Sequence, residues 1–168
     1  NMDVNGLTKH LESNRRWNRM FAKRENPSPG KDQVQSALDA WAAPLKAEDH
    51  ALLEAAWANE NLNNTLPSLV RRLLGSTDHH IRAAALRILS ENLSEFPDAM
   101  KLLEKAIADE HPQVRLWAVA CLTLIYKPQA FELALRALDK DMDNNIDFLL
   151  ELTAREQADV WLPVFLKG

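Results

Sequence analysis

Two stretches of this chain repeat one another at an offset of 33 residues, and no other feature restricts the fold so strongly. In LVRRLLGSTDHHIRAAALRIL (69–89) and LLEKAIADEHPQVRLWAVACL (102–122), Ile81-Arg82 falls on Val114-Arg115, Leu73 on Ala106, Leu74 on Ile107 and Leu89 on Leu122. Each copy reads as an apolar helix, a short polar turn and a second apolar helix. Leu102, Leu103, Ala106 and Ile107 share one helical face; Val114, Trp117, Ala118, Cys121 and Leu122 share another. A helix with one apolar face must bury it against a neighbour. A unit this short cannot build a core alone, so stacked copies build one jointly.

Further copies extend the pattern. Leu7 to Arg24 (LTKHLESNRRWNRMFAKR) places Arg19 63 positions before Arg82, close to two repeat lengths. Gln33 to Asn61 forms the copy between, with Pro44 and Asp49 near its turn. Phe131 to Thr153 forms the last, with its turn at Lys140 to Asn145, and Arg155 to Lys167 closes the chain. The expectation is an all-α solenoid, an α-α superhelix of about five helix pairs forming one domain over residues 1–168. The second helices, near 80–92 and 113–125, are expected to form the inner of two layers in a gently curved stack. Only four glycines are present, too few for the turns of a sheet-rich fold. Pro97, Pro112 and Pro128 are expected to open helices, where a missing N–H costs little. Asn26-Pro27-Ser28-Pro29-Gly30 breaks the chain between the first two pairs.

Charge is uneven. Residues 1–31 carry seven Lys/Arg against three acids, so a formal net charge of −4 leaves −8 on the remainder. A basic end and an acidic end suit a piece that docks to neighbours. Cys121 is the single cysteine, which excludes an intramolecular disulfide, CxxC and the CxxCH haem-attachment motif. It lies in the apolar run Ala118 to Ile125 and is expected to be a buried, inert thiol. No apolar run reaches the ~18 residues of a membrane span, so no membrane insertion is expected. Asn1-Met2-Asp3 lacks the features of a signal peptide, which fits a cytosolic protein or a segment of a longer chain.

The turn chemistry resembles the HEAT repeat, which places an Asp at the end of its first helix and an Arg six residues later, after an aliphatic residue. Asp109 and Arg115 with Val114 match this, and Ser76 and Arg82 with Ile81 match it with Ser for Asp. Ser13 and Arg19 match again, with Asn18 at the aliphatic position. In the second copy Leu52 stands at the Arg position; in the last, Asp141 is present and Asp147 takes the Arg position. The ladder is therefore partial. The resemblance implies structural roles for Arg82 and Arg115, bonding to the preceding turn and the next repeat.

Residues 52–166 also resemble the HEAT-repeat region of large bacterial haem-binding dehydrogenase-like proteins of the Planctomycetes type. The segments LLEAAW (52–57), HIRAAALRILSE (80–91), PDAMKLLEKAIADEHPQVRLWAV (97–119) and ALDKDMDNNIDFLLELTAREQADVWLPVFLKG (137–168) carry the likeness. In that family the helical region joins a β-propeller similar to sugar dehydrogenases to a C-terminal c-type cytochrome domain. The resemblance implies a scaffold cut from a larger exported oxidoreductase, in the periplasm or cell envelope. Its partners would be neighbouring domains or another protein. It implies no catalytic residue and no cofactor in this chain.

Other constellations compete with blander readings. Asp139, Asp141, Asp143, Asn145 and Asp147 alternate like a calcium loop, but neither frame supplies the Gly and Glu that an EF-hand requires. An acidic turn with Asp143 or Asn144 as helix cap fits better. His79, His80 and His111 with Asp78 suggest a metal site; turn histidines on a solenoid edge are the default. Of Trp17, Trp41, Trp57, Trp117 and Trp161, most are expected in the core. Trp117, whose counterpart one repeat earlier is Ala84, is the candidate partner anchor. Arg15 and Arg16 belong to the same candidate partner surface, and the cluster Arg15, Arg16, Arg19, Lys23 and Arg24 with Trp17 suggests nucleic acid. The alternative is a HEAT-like alkylpurine DNA glycosylase or another nucleic-acid-binding solenoid, which needs a basic groove along the stack. The acidic C-terminal copies oppose it, so no nucleic acid is expected. Far-UV circular dichroism should show a helix-dominated spectrum; more than about 15% strand would refute the repeat reading.

Overall fold

The computed structural model describes residues 4–13, 31–62 and 64–167, and these are all-α, with no strand among them. The helices are α1 (Val4–Leu11), α2 (Lys31–Ala42), α3 (His50–Asn61), α4 (Pro67–Leu74) and α5 (His79–Glu91), then α6 (Ala99–Ile107), α7 (Pro112–Thr123), α8 (Pro128–Leu135), α9 (Asn144–Glu156) and α10 (Ala158–Phe165). Short 3-10 turns lie at Leu93–Glu95 and Arg136–Asp139. Within the described residues α2 packs on α3, α6 on α7 and α8 on α9. The start of α7 falls 33 residues after that of α5, the offset seen in the sequence. None of the described helices is long and apolar enough to cross a membrane.

Local chemistry sets the helix boundaries. Pro67, Pro112 and Pro128 each open a helix, where the fixed backbone angle suits the first turn. Asp143 caps α9, its Oδ1 accepting from the N–H of Asn145 and of Ile146 at 2.9 Å each. His111 caps α7 in the same way, its Nδ1 accepting from the Gln113 N–H at 3.2 Å. Pro97 departs from expectation. It lies in a turn, and α6 starts two residues later at Ala99. The buried Phe96 ring anchors the chain there, and the Ala99 N–H bonds back to the Phe96 carbonyl at 3.0 Å, so a turn precedes the helix.

The chain divides into two compact units, Asn1–Ile81 and Arg82–Gly168. In the first, α1, α2 and α3 pack together and α4 packs on α3. Leu11, Val34, Leu38 and Ala58 form a core there, flanked by Trp41 and Leu62. Arg72 reaches from α4 to the end of α2, donating to the Ala42 carbonyl at 3.2 Å and to the Leu45 carbonyl. Those carbonyls lie where a helix end leaves acceptors unsatisfied.

The second unit has α6, α8 and α10 side by side on one level, with α7 and α9 on the other. Leu86, Leu89, Leu103, Ile107, Leu122 and Ile146 are buried within it. Each contributes roughly 1.5–3 kcal/mol of hydrophobic stabilisation. Polar groups stitch the α7–α9 seam. The Thr123 and Thr153 hydroxyls lie 2.7 Å apart. The buried Gln157 amide donates to the carbonyls of Leu122, Thr123 and Ile125 at 3.1, 2.8 and 3.3 Å, which satisfies the end of α7.

The tryptophans depart from the expected core positions. Trp41, Trp57, Trp117 and Trp161 are all half-buried, and Trp17 lies outside the described residues. The indole N–H explains two of these placements, since it needs an acceptor and draws the ring to the rim of the core. Trp41 Nε1 donates to Glu12 Oε1 at 2.7 Å, and Trp161 Nε1 to the Ala154 carbonyl at 2.8 Å.

Cys121 is wholly buried, with Sγ 3.2 Å from the Leu86 carbonyl. Burial pushes its thiol up to about 12, against a smaller opposing effect of a hydrogen bond with Ser90. Only the thiolate reacts at an appreciable rate. A thiol reagent such as 5,5′-dithiobis(2-nitrobenzoate) at pH 8 should therefore leave native protein unlabelled and label one thiol on denaturation; prompt native labelling would show this core to be open.

Candidate functional site: a buried arginine ladder and an exposed apolar groove

Arg82 in α5 and Arg115 in α7 occupy matching positions of successive repeats, one turn into the second helix. The Arg82 guanidinium grips the Asp109 carboxylate in bidentate fashion, Nε to Oδ2 at 2.8 Å and Nη2 to Oδ1 at 2.9 Å. Both side chains are largely buried, 19% and 14% exposed, so water screens the pair weakly. Asp109 also accepts from the His111 N–H at 2.9 Å. One carboxylate thus orders its own turn and holds the preceding repeat.

Arg115 is 2% exposed. Its Nη1 donates to the carbonyls of Asp109 and Glu110 at 3.0 and 2.8 Å, and its Nη2 to the carbonyl of Asp141 in the next turn. Three backbone acceptors therefore take up a buried cation. The hydrogen bonds of Arg115 run to the turn before it and to the next repeat, and those of Arg82 to the next repeat.

The other positions of the repeat pattern are placed as follows. Ser76 is buried and bonds locally, its Oγ accepting from the Asp78 N–H at 3.2 Å. Ser13 lies just after α1, its N–H on the His10 carbonyl at 3.2 Å. Arg15, Arg16 and Arg19 lie outside the described residues. Leu52, at the Arg position of the second copy, is wholly buried, and Asp147, at that of the last, is exposed.

The other candidates are placed as follows. Asp78, His79 and His80 come together at the start of α5, with ligand atoms within 4.8 Å of one another. The Asp78 carboxylate already accepts from the His80 N–H at 2.8 Å and lies 3.1 Å from His80 Nδ1. In the acidic turn Asp143 is committed as a cap, while Asp139, Asp141 and Asp147 are exposed. No second cluster with metal-ligand convergence occurs among the described residues. Trp117 is half-buried in α7.

The most exposed apolar surface is elsewhere, on α10 and the adjoining face of α8. Not one residue of α10 is buried. Trp161, Val164 and Phe165 recur at helical spacing and face Phe131 and Leu135 of α8 across an open groove of about 440 Å³. Phe165 is 74% exposed, Leu166 73% and Val164 55%. Trp161 forms the floor, stacked on Phe131 with ring centres 4.9 Å apart, while Phe165 meets it edge-on at 6.1 Å. Glu132 supplies the groove's carboxylate. The spacing was present in WLPVF, but sequence alone does not say which apolar face stays uncovered. The Arg72 and Gln157 caps were likewise missed, since they lie outside the Asp–Arg pattern.

Comparison with known proteins agrees with this architecture. Residues 66–152 match the family described as HEAT repeats, which covers more than half of the chain. No curated protein matches it.

The Asp109 carboxyl carries a pH signature. Burial raises its pKa, but hydrogen bonds from Arg82 and the His111 N–H, together with the guanidinium charge, outweigh burial and hold it below the ordinary 3.8. A depressed folded-state pKa contributes stability above the unfolded value and loses it as pH falls through the folded one. Asp109→Asn should cost about 1.5–3 kcal/mol at pH 7, as loss of a charged hydrogen bond does. That deficit should begin to shrink as pH falls below 3.8 and vanish below the depressed folded value. Denaturant melts of both proteins across this range test it; a deficit independent of pH would show that the carboxylate charge is not what stabilises.

Proposed function

Since the chain belongs to the HEAT-repeat family, we propose that it is a non-catalytic scaffold and docking module. The observation that carries this reading is the division of labour among its side chains. The buried Arg115 and the half-buried Arg82 and Asp109 are engaged in joining repeats, while a large apolar surface on α8 and α10 stays open to solvent. A side chain held by two or three partners makes a poor acid, base or nucleophile, because chemistry would require those bonds to break. An exposed apolar groove, by contrast, is suited to binding a partner.

The family likeness of residues 52–166 supports a finer reading. The helical stack holds apart a sugar-dehydrogenase-like propeller and a c-type cytochrome domain of one exported oxidoreductase, outside the cytoplasmic membrane. The redox chemistry then belongs to those flanking domains, and this chain binds no haem of its own. The basic N-terminal and acidic C-terminal segments support electrostatic docking of such neighbours.

Two assays test the reading. Titration with haem should leave the Soret band of free haem unshifted, and DNA containing alkylated purines should release no base. Stoichiometric, low-micromolar haem binding that is lost on substitution of one histidine would make this a cofactor domain. Base release would make it an enzyme.

A further inference from the structure

Three side chains with metal-binding chemistry meet at one turn of the first unit. Asp78, His79 and His80 each bring a ligand atom within 4.8 Å of the other two. Neighbouring residues of a helix point about 100° apart. The two imidazole rings nevertheless lie together, with centres 3.9 Å apart and planes tilted by 35°. Asp78 Oδ1 stands 3.1 Å from His80 Nδ1. Two donors each ~2.0–2.1 Å from one ion subtend about 100° at that spacing, as tetrahedral and octahedral sites require. Donors on opposite sides of an ion lie ~4.2 Å apart, so small side-chain rotations bring all three into reach.

The helix start does not by itself call for these histidines. At the 33-residue offset His111-Pro112-Gln113 stand at the equivalent positions and open α7. Asp78 accepts from the backbone N–H two residues on, as His111 does in its own copy. The same helix start therefore tolerates Pro and Gln where this copy has His79 and His80. The donors are also in a state to bind. The hydrogen bond from the His80 N–H, the largest influence, holds the Asp78 carboxyl below its ordinary 3.8 against the opposing effect of burial, so it is ionised at neutral pH. The Asp78 and His80 side chains are 35% and 67% exposed, so an ion reaches them from solvent. When His80 Nδ1 carries a proton, the 3.1 Å spacing is a hydrogen bond; a metal ion takes the place of that proton. Imidazole nitrogen then selects the ion. Mg²⁺ and Ca²⁺ take oxygen ligands, whereas Zn²⁺ and its first-row neighbours take imidazole together with carboxylate.

We propose that Asp78, His79 and His80 bind one divalent transition-metal ion of the zinc class, through two imidazoles and one carboxylate, with water completing its shell. Bound there, the ion ties the turn before α5 to the first residues of that helix and stabilises the native chain. The site is independent of the docking-module reading, since it requires no partner.

Isothermal titration of the untagged chain with ZnCl₂ at neutral pH should show one ion bound per chain with a micromolar dissociation constant, and MgCl₂ should give no saturable binding. His79→Gln and His80→Gln should each weaken Zn²⁺ binding at least about tenfold, the least that losing even a supporting group costs a metal site. Asp78→Asn should do the same while keeping the helix start, because Asn caps as well as Asp. His50→Gln, at the exposed start of α3, is the control and should bind like the unmutated chain. Zn²⁺ should raise the melting temperature of the unmutated chain and of the control, and of neither histidine variant. In the unmutated chain, NMR should show the imidazole signals of His79 and His80 moving to an end point at one equivalent of Zn²⁺ while those of His50 stay in place. Binding no tighter than millimolar, equal binding of Mg²⁺, affinity unchanged by His79→Gln, His80→Gln or Asp78→Asn, or loss of binding in His50→Gln would overturn the proposal. So would NMR shifts confined to other histidines, a result that does not depend on whether any variant folds.

Discussion

A buried arginine is unstable unless its N–H groups find acceptors, and that requirement organises the second unit. The two Nη groups of Arg115 find acceptors because the carbonyls of Asp109, Glu110 and Asp141 converge on them, while its buried Nε–H has none among the described residues. Those carbonyls belong to two turns about 30 residues apart, so one side chain sets the spacing of successive helix pairs. Arg82 makes the complementary demand on Asp109, whose carboxylate must face back towards α5. Apolar packing alone is permissive about how helices slide past one another. The charged bonds define the register.

The same economy explains the helix ends. Stacked helices bring their termini close to one another, and each leaves backbone groups that water cannot fully reach. Gln157 answers this at the end of α7, and Arg72 at the end of α2. Asp143 and His111 do it at helix starts with side chains of very different chemistry. What is shared is the placement of an acceptor opposite the second N–H of the helix, with the residue type free to vary. The cost of losing any of these caps is local, while the cost of losing Arg115 spreads to two repeats.

α10 marks where this economy ends among the described residues. It is rich in apolar residues, yet none of them is buried. Helices α6 to α9 each have neighbours on their own level and on the other, whereas α10 packs on α8 and α9 and leaves its far face open. In a repeat array every apolar face is made to be covered by a neighbour.

Much of this was legible in one dimension. The 33-residue offset, the spacing of three and four, and the prolines at α7 and α8 are local or periodic properties of the chain. They follow from backbone geometry, which repeats identically in every copy. Residues 14–30, including Arg15, Arg16 and Arg19, fall outside the described residues, so the reading there rests on sequence alone. Tertiary structure decided the rest. It drew four tryptophans to the rim of the core, two of them by the demand of an indole N–H for a distant acceptor. It set the Gln157 amide on carbonyls more than 30 residues away, a contact that no periodicity encodes. It also left the Trp161, Val164 and Phe165 stripe uncovered. An apolar stripe in a sequence states only that burial is favourable; whether a neighbour is present to bury it depends on the packing of the whole unit.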